Sequence, residues 1–331
     1  MLLRFFRTNG AQIIVIIPII GMILWLGPLL NTSKISLLSD QIRLPLYDTL
    51  FGYLQSVEFI GKIVSFVLIL AIAFLLVRLN TRFIIINNRT YLPALIYILI
   101  VSGIPDIQKL NPALIATFLM LLIIEQILDS YRFENLFYGF FTAAFFLGIG
   151  CLVYPFFTFY LITLWAGIIL LRKFNWREWV FSIMGLITPF LFTFSYYYIL
   201  EDKPAYVFEQ YAPFFSHSYD FTGYTPQVYI FIGIITFVML IASQFLLQAY
   251  SARKILSRRA YSLLLWLFLN SLALFFLVDQ ASVEIIYIAA IPLAFLLSNY
   301  LVFVKATFWG NLFLLLLLLS AFFNQVSYYF F

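Results

Sequence analysis

A chain of 331 residues, 64% hydrophobic and 10% charged, with a mean hydropathy of +1.04, carries more apolar surface than a water-soluble fold can bury. Its net charge of +5 follows the distribution of bends and is no nucleic-acid footprint. One cysteine, Cys151, and one histidine, His217, exclude an internal disulfide and a cysteine- or histidine-based metal centre, which leaves carboxylates for acid–base chemistry.

The first apolar run, AQIIVIIPIIGMILWLGPLL, follows a basic flank but has no small-residue cleavage site, so it reads as a retained first helix. Further runs follow at roughly 59–77, 91–104, 113–128, 136–153, 156–171, 179–200, 228–247, 261–278, 283–304 and 308–323, making about eleven spans. The expectation is an all-α, polytopic transmembrane helix bundle forming one integral domain over residues 1–331. The 40 Phe and 22 Tyr suit interhelical packing and the two membrane interfaces.

Basic residues gather in alternate bends: Arg4 and Arg7, Arg78 to Arg89, Arg132, Arg172 to Arg177, Arg253 to Arg259, and Lys305. Lys34, Arg43, Lys62, Lys109 and Lys203 fall in the others, where most acids lie, including Asp106 and Glu284. Short loops rich in Lys and Arg stay on the cytoplasmic side, so the N-terminus is expected inside. Two outer loops, 31–58 and 201–227, are then long enough to hold chemistry, and the other connections read as tight turns.

In the first outer loop, Asp48 stands beside aromatic residues in PLYDTLFGYL, where a carboxylate could act as a base or hold a metal through oxygen; Asp40 supports it or caps a helix. In the second, His217, Asp220 and Tyr224 lie among aromatic residues suited to an acceptor sugar or a protein partner. The inner bend RKFNWRE places Arg172, Lys173 and Arg177 where lipid headgroups bind cations, although topology alone also accounts for them. Glu125, inside an apolar run, snorkels or pairs with Arg132, and Glu178 pairs locally with Arg177. Gly139, Ala143 and Gly150 fall near one helix face and allow close packing, while Pro155 marks a turn and Pro189 a kink or helix end.

The hairpin FYGFFTAAFFLGIGCLVYPFFTFYLITLWAGIILL, its basic bend and the helix ending near ITPF resemble the GT-C superfamily of membrane glycosyltransferases. That resemblance implies transfer of a sugar from a polyprenyl-phosphate carrier at the outer face, with acids of the first outer loop as base or ligands of a divalent cation. Here Asp40 and Asp48 stand eight residues apart rather than as an adjacent pair. More closely, SYRFENLFYGFF with FNWREWVFSIMGLITPF is similar to an uncharacterised bacterial inner-membrane family with no assigned activity. The alternative function is a non-catalytic membrane subunit of an envelope assembly for secretion, motility or glycan export, docking protein partners. A solute transporter needs a polar site within the membrane, which the charged residues do not reveal.

Overall fold

The computed structural model describes residues 2–7, 10–30, 58–132, 138–172, 175–200, 211, 226–248, 250, 253–277 and 283–330. Among these the chain is helical: α1 (Leu2–Arg7), α2 (Ala11–Leu30), α3 (Glu58–Phe83), α4 (Leu92–Ser102), α5 (Pro112–Arg132), α6 (Tyr138–Val153), α7 (Leu161–Leu171), α8 (Trp176–Leu200), α9 (Pro226–Gln248), α10 (Ile255–Leu277), α11 (Ile286–Phe303) and α12 (Thr307–Phe330). Short 3-10 turns occupy Pro105–Ile107, Pro155–Tyr160 and Val283–Ile285.

Among the described residues, eight helices are long and apolar enough to cross a membrane. Three shorter apolar helices, Leu92–Ser102, Tyr138–Val153 and Pro155–Leu171, stand where three further spans were expected. The shortest departure matters most. With 11 residues, α4 rises only about 16 Å, roughly half of a hydrocarbon core. Every residue of α4 is buried, and it packs on α3 and α11 at the centre of the bundle. Peripheral α8 instead turns Leu191, Phe192, Tyr198 and Ile199 outward, as a lipid-facing helix does.

The glycine face of α6 has two partners. Gly139 lies against Ser130 of α5, Gly150 against Phe157, and all of Gly139, Ala143 and Gly150 are buried. At Gly148 and Gly185, α6 and α8 meet backbone to backbone. A Cβ on Gly148 would lie 2.6 Å from the Leu186 carbonyl oxygen, and one on Gly185 would collide with the Phe141 carbonyl. Pro189, expected at a kink or end, lies within α8 with its ring against Gly148. Pro155 does mark the expected turn, following extended Tyr154.

Basic residues gather at one end of the bundle, where they close helix ends. Helix C-termini leave carbonyls without intrahelical donors and carry partial negative charge, so a guanidinium there answers both needs. Arg172 donates from Nε and Nη2 to the Ser130 carbonyl at 3.0 and 2.5 Å; Arg259 donates to the Leu171 carbonyl at 2.7 Å. Arg7 reaches the Leu301 carbonyl at 2.6 Å and that of Val304 at 2.9 Å. Glu125 is held by Arg78 at 3.1 Å and by Arg82, which also binds Asp129 at 2.6 Å. Its described partners thus come from α3; the Arg132 side chain lies outside the described ones.

Candidate functional site

The opposite end of the bundle contains the segment GIPDIQKLN, residues 103–111, between α4 and α5. Expected as a tight turn, it is instead packed into the protein. Pro105 opens a 3-10 turn and Pro112 occupies the first position of α5. Asn111 caps that helix, accepting the Leu114 N–H at 3.0 Å. At Gly103 there is no room for a Cβ, because the Phe231 ring of α9 lies against the backbone.

Irregular backbone inside an apolar bundle exposes carbonyls that water cannot reach, and side chains must satisfy them. Gln325 donates to the Ser102 carbonyl at 2.6 Å and to Gln108 Oε1 at 2.9 Å. Gln108 also donates to the Ser102 carbonyl at 3.0 Å, and Asn324 to that of Gly103 at 2.6 Å. The Tyr287 hydroxyl reaches the Ile107 carbonyl at 2.6 Å, while Trp25 Nε1 donates to Ser102 Oγ at 3.0 Å. Four helices, α2, α4, α11 and α12, are thereby tied to one broken segment.

Asp106 stands apart within this network. It is 0% exposed, and neither carboxylate oxygen has a hydrogen bond of normal geometry. Burial pushes its carboxyl above the ordinary aspartate range, against smaller opposing pulls from Tyr328 and Lys109, which lie close enough to favour the charged form. Gln325 Oε1 and the Tyr97 hydroxyl are likewise buried without partners. Glu284, buried in the Val283–Ile285 turn, lies within electrostatic reach of Tyr154 and Tyr287. A buried carboxyl whose pKa is raised, set among amides and phenols, can exchange a proton with a bound hydroxyl, or hold a cation together with an amide oxygen. Among the described residues no group of three or more His, Cys, Asp or Glu side chains could hold a metal ion.

An open, apolar groove of about 790 Å³ between α9 and α12 adjoins this cluster. Its walls include Ile234, Leu316, Leu319 and Phe323, and it reaches Phe231 and Asn324, the two residues in contact with Gly103. One wall of the groove therefore backs onto the polar segment.

Asp40, Asp48, Lys173, His217, Asp220 and Tyr224 lie outside the described residues. Arg172, proposed for lipid headgroups, points inward to Ser130 and Glu178, whereas Arg177 is exposed at the start of α8. Glu178, expected beside Arg177, is 1% exposed and accepts from Arg172 at 2.8 Å. The broken segment was missed because Gln108, Asn111, Asn324 and Gln325 carry no charge. Its available signal was the pair of prolines around PDIQKLNP, after a run too short to span the membrane.

The helices, their apolar surfaces and a buried polar segment at one end define an all-α protein built for a membrane, with several candidate spans. The chain belongs to a family of unknown function (DUF6427), which matches residues 34–330. No curated protein and no solved structure matches it.

Proposed function

We propose that this is a multi-pass protein of the bacterial inner membrane, N-terminus inside, that binds a polyprenyl-phosphate-linked sugar at the outer face. On this reading the lipid chain lies along the α9–α12 groove and the polar head meets the Asp106 cluster. The carrying observation is the adjacency of the two: an apolar groove open to lipid, ending at Asn324, beside a buried carboxyl whose ionisation burial opposes. In a GT-C-like arrangement Asp106 serves as the base or holds a divalent cation, with Asp40 and Asp48 of the outer loop 31–58 supplying further carboxylates. His217, Asp220 and Tyr224 of loop 201–227 then contact the acceptor.

Lipid extracted from the protein purified in mild detergent tests this reading. Wild type is expected to carry an isoprenoid phosphate that Leu319→Trp, which fills the groove, reduces at least fivefold. Isoprenoid lipid at background level, with stoichiometric protein partners in its place, would sink the proposal and favour a non-catalytic envelope subunit.

A further inference from the structure

At the basic end, Arg253 is nine-tenths buried in the bend before α10. Its Nη2 donates to Asn299 Oδ1 at 2.7 Å, and its guanidinium lies over the Tyr261 ring at 5.1 Å and the Phe303 ring at 5.9 Å. Three further donors are unused: Arg253 Nε and Nη1 and Asn299 Nδ2 are buried without hydrogen-bond partners, and the buried Tyr261 hydroxyl stands within electrostatic reach of the guanidinium. Among the described residues no carboxylate pairs with Arg253.

A buried cation without a counter-ion is costly, and ring faces offset only part of that cost. A guanidinium and an amide with three buried donors to spare, beside a phenol that can also donate, match an oxyanion, whose oxygens accept several hydrogen bonds at once. Tyr261 also lines a second groove of about 340 Å³ between α9, α10 and α11, apolar along Leu246, Leu264 and Leu296, with Tyr250 and Ser262 alongside. The chemistry of groove and donors together is that of a phospholipid: acyl chain against leucine, phosphate against guanidinium.

We infer that Arg253, Asn299 and Tyr261 form a phosphate-binding site for an anionic phospholipid whose chain occupies the α9–α10–α11 groove. This site lies at the basic end, away from the Asp106 cluster, and does not depend on the function proposed for that cluster. Its test is thermal unfolding and native mass spectrometry of delipidated protein in detergent. The probes are phosphatidylglycerol, phosphatidylcholine and inorganic phosphate.

Wild type is expected to bind phosphatidylglycerol at least tenfold more tightly than phosphatidylcholine. Arg253→Gln should remove that preference, while Arg258→Gln, in the first turn of α10, leaves it within twofold. Should Arg253→Gln fail to fold, Leu264→Trp, which fills the groove and keeps the guanidinium, must weaken phosphatidylglycerol at least fivefold. Equal binding of the two lipids overturns the inference, as does an unchanged preference in Arg253→Gln. Protection by inorganic phosphate equal to that by phosphatidylglycerol would also overturn it, by assigning the donors to a free anion.

Discussion

Arg172→Met is expected to destabilise the protein by about 3–5 kcal/mol, the cost of leaving one member of a buried ion pair uncompensated. Arg172 binds Glu178 at 2.8 Å with side-chain exposures of 12% and 1%, so solvent cannot replace the missing cation. The same change strips two hydrogen bonds from the Ser130 carbonyl near the end of α5. Because much of the loss is the stranded carboxylate, Arg172→Met with Glu178→Gln should recover a large part of it. Thermal unfolding in detergent measures both. A single variant within about 0.5 kcal/mol of wild type, the range of an ordinary surface substitution, would show that solvent reaches Glu178.

The second large effect is expected at Gly185. A side chain there meets the Phe141 carbonyl oxygen of α6, a backbone atom that cannot rotate away. Gly185→Leu should therefore force α6 and α8 apart and cost about 3 kcal/mol or more, at the upper end of overpacking. Gly233 is the control, with nothing within 4 Å of a built Cβ. Gly233→Leu should leave the yield of monodisperse protein unchanged while Gly185→Leu collapses it; equal yields would mean that the two helices have room to separate.

Apolar runs located the helices because each had to hide its backbone from lipid, and that requirement is local. The first run, 11–30, coincides with α2. Runs stopped at charges were cut short: α3 continues past Arg78 and Arg82, and α10 begins before Arg258 and Arg259. Charge ends the hydrocarbon rather than the helix. Bends rich in Arg were also legible, but their partners were not, since Arg172 could face lipid or Glu178 with the same sequence.

The polar segment was less visible for a different reason. Gln325 sits in α12 after a leucine-rich run, and its bonds to Ser102 and Gln108 join residues 223 and 217 positions away in the chain. No spacing within a helix encodes such a pairing. Asp106 looked like an acid of an outer turn because the shortness of α4, which draws the turn into the bundle, shows only once its packing is known.

Burial at Asp106 outweighs the opposing pulls of Tyr328 and Lys109, and the pH dependence of stability tests this most directly. An aspartate in the unfolded chain ionises near pH ~4, whereas burial holds Asp106 protonated to higher pH in the folded protein. The folded state therefore binds more protons between those two values, and stability falls as pH rises through that window. Asp106→Asn cannot ionise. Its stability should exceed that of wild type by a margin that grows as pH rises above ~4, reaching about 1–3 kcal/mol, the usual cost of an unsatisfied buried polar group. Parallel curves, or a wild type that gains on the variant as pH rises, would contradict the account.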